Sequence, residues 1–299
     1  MTNVATECRQ AESLIPTPQS ELLMKQIVTK AMPKFGLLTS PIEAVPHGIG
    51  TIKRLGFDYA EIGIEEPAAT PRILMEQKDE ILTDLTRAGI FALGHTAYWV
   101  GFGSSHEKVR EGWVMEGKEM INVASELGLG LLNFHFYSRL GSVGATESSR
   151  EMFLRNFTSS MTELSTFAAQ KGISLMLENV PSEESHPLES LSCFSQVMSD
   201  VPALKFHFDI PHAFIENRLK GVKEYLDEFC DRLVHIHMHD NHGKQDEHLP
   251  LGRGKIDFRK VVKLLKEYNY DKTITFEVFT SPFDAARSRD FFTKLWERS

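Results

Sequence analysis

Six consecutive apolar runs of this chain carry an imidazole or a carboxylate at or near their C-terminal ends. IFALGH (90–95) ends in His95, and GLLNFHF (130–136) carries His135. ISLMLEN (173–179) carries Glu178, and LKFHFDI (204–210) carries Asp209, with His212 just beyond. LVHIHMHD (233–240) carries His237, and TITFEVF (273–279) carries Glu277. Any one of these groups costs several kcal/mol to bury unless it is paired or metal-bound. A lone buried histidine is usually a hydrogen-bonded rim residue, but six such groups at corresponding ends point to a shared partner. Imidazole with carboxylate is the donor set of Zn, Mn, Fe or Co, whereas an all-oxygen set would indicate Mg or Ca. Glu178, Asp209, Asp246 and Glu277 carry enough charge for two divalent ions. None of the runs ends in cysteine, which excludes a thiolate structural zinc site.

The densest segment is HIHMHDNHGKQDEHLPLGRG (235–254). His235, His237 and His239 alternate and therefore share one face of a strand. The expectation is that His237 reaches the rim and His235 is a deeper structural residue. His239 is expected behind the ligands or facing solvent, and His242 falls in a loop without a role. Asp246 and His248 are two residues apart, so both reach one ion if their loop folds over the mouth.

Eight β-rich runs, the first two being KFGLLT (34–39) and FDYAEIG (57–63), alternate with longer stretches of helical period. The helical stretches include PRILMEQKDEILTDLTRAG, EKVREGWVMEGKEMINVASELG, REMFLRNFTSSMTELSTFAAQKG, FRKVVKLLKEYN and SPFDAARSRDFFTKLWERS. Gly56, Gly89, Gly128 and Gly172 stand where helices stop before the next strand. Strand–helix alternation implies parallel βαβ units, and eight of them imply a closed (β/α)8 TIM barrel whose active site lies at the C-terminal strand ends. An open doubly wound sheet is the alternative, but TSPIEAVP after the first strand is no glycine-rich phosphate loop. Residues 1–32, with Pro16 and Pro18, read as an N-terminal extension, an arm or the short helix ELLMKQIVTKAM, and 33–299 as the single barrel domain.

The 299 residues are 41% apolar and 25% charged, which is globular composition. A net charge of −8 gives no basic footprint for nucleic acid, though it leaves room for a local basic groove. Cys8, Cys193 and Cys230 show no paired spacing, which suits a reducing cytoplasm. The first residues lack the pattern of a secretory signal, and no apolar run is long enough for a membrane helix.

LEN (177–179), FDIPHA (208–213), HMHDN (237–241), DEHLPLGRG (246–254) and FEVF (276–279) together resemble the xylose isomerase-like barrel superfamily over about residues 34–280. That group includes sugar and sugar-phosphate isomerases and epimerases and the endonuclease IV-like enzymes. The resemblance to single-metal epimerases implies an ion held by Glu178, Asp209, His237 and Glu277, with Glu178 and Glu277 also moving protons. It implies Glu184 and His212 on the substrate. The resemblance to endonuclease IV implies up to three Zn ions, with His95, His135, His212, Asp246 and His248 as further ligands.

Two reactions follow from the resemblance. The first is isomerisation or epimerisation of a small sugar, sugar phosphate or polyol with one Mn, Zn, Co or Mg ion. The second is multinuclear phosphodiester hydrolysis at an abasic site. A non-catalytic metal or sugar sensor ranks last because both carboxylates are present. Trp99 and Phe102 are read as stacking on a sugar or base, or as lining a lid. Arg253, where many relatives carry Glu, is read as gripping an anion or capping a surface loop. Nucleic acid is the less favoured partner because no run of Lys/Arg loops tops the barrel. A homodimer is expected by resemblance alone.

Overall fold

The computed structural model describes residues 31–138, 146–181 and 190–299. The expected helix of the N-terminal extension therefore lies outside the described residues, as does Glu184. Eight parallel strands close on themselves in chain order: β1 (Lys34–Leu38), β2 (Tyr59–Ile64), β3 (Phe91–Thr96), β4 (Leu131–His135), β5 (Ser174–Glu178), β6 (Lys205–Asp209), β7 (Leu233–Met238) and β8 (Thr273–Phe276). Lys34 opposite Thr273 closes the ring.

The connections carry α1 (Val45–Arg54), α2 (Pro71–Glu76), α3 (Lys78–Ala88), α4 (Glu107–Glu126), α5 (Glu147–Gln170), α6 (Leu191–Asp200), α7 (Ile210–Phe229), α8 (Phe258–Glu267) and α9 (Pro282–Arg298). The stretch 71–89 reads as one helix in the sequence but divides into α2 and α3. Gln77, at φ −95° and ψ 1°, ends the first and begins the second. Gly89 ends α3 in the left-handed conformation, as its place before β3 requires. None of the described helices is long and apolar enough to cross a membrane.

Between the strands and helices lies an apolar layer rich in phenylalanine. Phe194, Phe206, Phe208, Tyr225 and Phe229 form one buried aromatic group, with neighbouring rings 5.1–6.3 Å apart. Burying each such ring contributes about 1.5–3 kcal/mol. The barrel interior departs from the usual filling of branched aliphatics. Tyr59, Glu61, His207, His235 and Thr275 are all buried there, and Tyr59 shares a 2.8 Å hydrogen bond with Thr275. Gly36 makes room for that ring, since a Cβ at 36 would lie 2.2 Å from it.

After β7 the chain leaves at His239 and returns at Leu249, which pairs with Asp240 through two backbone hydrogen bonds of 2.8 and 2.9 Å. This return carries Asp246 and His248 back over the barrel mouth. The buried Asp240 carboxylate then accepts the backbone N–H groups of Asn241, Gly252, Gly254 and Ile256 at 2.8–3.2 Å. Gly252 sits at φ +84°, and a Cβ at 254 would lie 2.3 Å from the Asp240 carboxylate. The two glycines of LGRG thus serve the loop anchor. Asp240→Ala leaves several of these donors without a partner, so urea unfolding should register a loss of about 3 kcal/mol. An unchanged unfolding midpoint would rule out this anchoring role.

Candidate metal centre

The C-terminal ends of β5 to β8 bring Glu178, Asp209, His237 and Glu277 together. His237 Nδ1 lies 3.2 Å from Glu277 Oε2, 3.8 Å from Glu178 Oε1 and 4.0 Å from Asp209 Oδ2. Three acceptor oxygens crowd one ring nitrogen. The state of that nitrogen follows from its other side. His237 Nε2 faces the ionised Glu61 carboxylate at 3.0 Å, and only an N–H can donate there. In the neutral ring Nδ1 then carries a lone pair, and it has no hydrogen-bond partner. Asp209 Oδ2 is likewise buried without a partner. Carboxylate support behind a histidine is the usual arrangement for a metal ligand, because it fixes the ring and its tautomer. The donor set and the orphaned atoms therefore fit a divalent cation.

Local structure explains each placement. Asp209 ends β6 and caps α7, its Oδ1 accepting the His212 N–H at 2.7 Å while Oδ2 stays available. Pro211 in the first turn fixes the helix entry. Asn179 clamps the same corner, donating to the Asp209 carbonyl and accepting its N–H, both at 2.9 Å. Glu178 Oε2 accepts from Asn133 at 2.5 Å and lies 3.0 Å from His135 Nε2 and 3.6 Å from His95 Nε2. His95 has no hydrogen-bond partner on either nitrogen, and His135 has none on Nδ1.

At the mouth, His212 and His248 meet Asp246. His212 Nδ1 lies 2.8 Å from the Asn179 carbonyl and His248 Nδ1 lies 3.1 Å from the Glu277 carbonyl. A carbonyl only accepts, so both Nδ1 atoms donate and both Nε2 atoms turn to Asp246 Oδ2, at 3.1 and 2.8 Å. His248 holds this position from the left-handed backbone region, at φ +46°. For a non-glycine residue that costs about 1–3 kcal/mol and is typical of a functional site.

Electrostatics follow the packing. Burial pushes the Glu61 carboxyl up, but His237 and His235 overcome it and hold it well below the usual range. Burial opposes the ionised Glu178 too, yet His135, His207 and His237 keep it low. Glu277 is held at about 2 by His237 and His248 against the same penalty. Burial lowers His248, and Glu277 and Asp246 more than reverse this, raising it to about 9. His207, with Glu178 3.2 Å from its Nδ1, is driven well below its usual value by burial.

A cavity of about 860 Å³ opens above these groups. His95, His135, Glu178, His212, Asp246, His248 and Glu277 line its base, and Tyr98, Tyr137 and Phe279 line its walls. Three residues singled out in the sequence, Trp99, Phe102 and Arg253, lie outside the lining. Trp99 is not in the lining: its ring packs on Trp113 of α4, at 5.5 Å, and against the core. Its neighbour Tyr98 takes the wall instead, 58% exposed and edge-on to Tyr137. Phe102 is also core, against Phe134 and Phe157. Arg253 is exposed on the LGRG turn that Asp240 anchors and is outside the lining, in keeping with its surface-loop alternative. His235 is the expected deep residue, on Glu61 and Thr273.

His239 takes the first of its two expected places, behind the rim groups and not in solvent. It is fully buried and points inward, 3.4 Å from both Asp209 Oδ2 and Asp246 Oδ1. Glu61, His207 and Asn133 went unread. An acid in the middle of the apolar run DYAEIGI was the available signal for Glu61.

The chain is similar to the uncharacterized protein MJ1614 of Methanocaldococcus jannaschii, at 32% identity over 42% of this chain, and it spans only 47% of that protein's length. It is 28% identical to the L-ribulose 3-epimerase of Methylomonas sp., over 76% of each chain. It is 24% identical to the probable endonuclease 4 of Aquifex aeolicus, over 83% of this chain and 92% of that one. Among solved structures, a D-tagatose 3-epimerase-like protein superposes with a TM-score of 0.76 at 26% identity, covering 89% of this chain and 97% of the other. The family model described as xylose isomerase-like TIM barrel matches residues 49–295, and this chain belongs to that family.

Proposed function

We propose that this protein is a divalent-metal-dependent sugar epimerase or isomerase. The observation that carries the reading is the convergence of Glu178, Asp209 and Glu277 on the unpartnered Nδ1 of His237, two of them, Glu178 and Glu277, lining the cavity. The cavity lining adds support: among the described residues it includes Glu43 and Glu65 but no lysine or arginine. A neutral polyhydroxy substrate suits such walls better than a phosphodiester. Tyr98, Tyr137 and Phe279 offer apolar faces for the C–H side of a sugar ring. Similarity to sugar 3-epimerases points the same way.

An ion held by Glu178, Asp209, His237 and Glu277 would act as a Lewis acid on a carbonyl oxygen and so acidify the adjacent C–H. The chain's own groups do the rest. Glu178 on β5 and Glu277 on β8 reach the reacting carbon from different strands. One carboxylate takes a proton from one face and the other delivers a different proton to the opposite face. Both are held ionised against burial, so either can serve as the base, and the one that delivers must first take a proton from solvent or a substrate hydroxyl. His212 Nε2 at the cavity floor orients a substrate hydroxyl, and Glu61 keeps His237 in its tautomer. Incubation with a panel of ketoses in D₂O should place deuterium beside the carbonyl. Glu178→Gln and Glu277→Gln should each lower that exchange by about 10²- to 10⁴-fold. No exchange with Mn, Co or Mg over a broad panel would remove the reading.

A second reading, a multinuclear phosphodiesterase, is favoured by His95 and His135 beside Glu178 Oε2, whose unpartnered ring nitrogens suit a further cation. It predicts nicking of a duplex with an abasic site, abolished by His95→Ala. Nicking on those terms would displace the sugar reading.

A further inference from the structure

The helix α7, whose first turn carries His212, is not regular along its length. Asn217, at φ −148° and ψ 33°, and Arg218, at φ 56° and ψ −150°, interrupt it. The Arg218 conformation lies in a region that essentially only glycine occupies without strain, and a larger residue persists there when its surroundings over-determine it. Gly221 makes room for the kink, since a Cβ at 221 would lie 2.5 Å from the Ala213 carbonyl oxygen.

What surrounds Arg218 is the loop over the barrel mouth. The guanidinium lies over the Phe214 ring, its central carbon 5.2 Å from the centroid, and Nη1 donates to the Gly243 carbonyl. The receiving residue is shaped to that fit. Gly243 is buried at φ +74°, and a Cβ there would lie 1.2 Å from Arg218 Nη1. The loop is otherwise tied largely to itself. The Gly243 N–H donates to Asn241 Oδ1 at 2.7 Å, and Glu247 Oε2 accepts the His242 N–H at 2.7 Å. Its root is held to the start of α7, where Asn241 Nδ2 donates to the Pro211 carbonyl at 3.1 Å. Among the described residues, the Arg218 bond is the one that ties 242–245 to another element. The chain then runs on to Asp246 and His248 in the cavity lining.

We propose that Arg218 is a positioning residue: its guanidinium clamps the Gly243 carbonyl and so fixes the 241–248 loop that brings Asp246 and His248 to the cavity. Arg218 itself is exposed and outside the lining, so it acts through the loop and touches no substrate. The strained backbone at 218 and the glycine at 243 are the two halves of one fit. The clamp is independent of the epimerase reading, and only its effect on turnover rests on that reading.

Arg218→Gly separates clamp from strain, because glycine relieves the backbone while it removes the guanidinium. Hydrogen exchange at 242–248 should quicken by about tenfold, as the loss of one charge-assisted hydrogen bond implies, while the barrel strands exchange as in wild type. The urea midpoint of Arg218→Gly should match or exceed wild type, and that of Arg218→Ala, which keeps the strain, should fall below it. A merely structural arginine would lower both midpoints and speed exchange evenly through the barrel. Arg218→Lys replaces the alanine variant if circular dichroism finds the latter unfolded. If ketose turnover is present, Arg218→Gly should raise KM by about tenfold with kcat little changed, because the loop walls the cavity. Loop exchange at the wild-type rate in Arg218→Gly would overturn the clamp, and so would exchange that rises evenly over the whole chain. A wild type without C–H exchange on any ketose would count against the epimerase reading alone, since the loop measurement decides Arg218 without it.

Discussion

Five carboxylates, Glu61, Glu178, Asp209, Asp246 and Glu277, are gathered at one end of a low-dielectric barrel, and only Asp246 keeps appreciable exposure. Desolvating an ionised carboxylate costs several kcal/mol, and like charges brought close add to that. The arrangement persists only if positive charge is supplied. The fold supplies imidazoles from β3, β4, β6 and β7 and from the segments just beyond β6 and β7, and the closed parallel ring turns all of these strand ends to one face. The same convergence that makes the site costly makes it selective for cations.

The histidines divide by what holds their far nitrogen. His237 leans on Glu61, His212 on the Asn179 carbonyl and His248 on the Glu277 carbonyl. Each thereby has one ring nitrogen committed as a donor and the other turned inward. His95, His135 and His239 lack such a hydrogen-bonded support. Their rings are positioned by packing instead: His95 against His237 and His135, and His239 against His248. Hydrogen-bonded rings are the more preorganised ones, so the central group around His237 and the mouth group around Asp246 have firmer frames than the His95–His135 pair.

The barrel was legible because strand and helix periods differ and glycines mark the helix ends. The convergence of the rim groups was legible because a polar group closing an apolar run has few bland explanations. The interior was harder. Glu61 and His207 sit inside strands, where the residue pattern does not reveal whether a side chain faces the barrel axis or the helices. Strand parity already placed His239 on the face of His237. The missing knowledge was that the chain continues straight past β7 before turning. Loop aim was the least legible: Trp99 and Tyr98 are adjacent, and only the packing of Trp113 decides which one faces the cavity.

On the proposed metal-dependent reading, the number of ions held would govern which substrate charge the site accepts. With neutral imidazoles, one divalent cation leaves these five carboxylates with a deficit of three positive charges. A second cation leaves a deficit of one, and a third turns the balance to an excess of one. A phosphodiester would meet net repulsion in the first two states and attraction in the third. With an ion in the central group alone, the site stays anionic. It then favours an uncharged sugar, in keeping with described cavity walls that offer no lysine or arginine. Occupancy by a third ion would be the step that changes the reaction class, because it alone adds the charge that a phosphodiester needs.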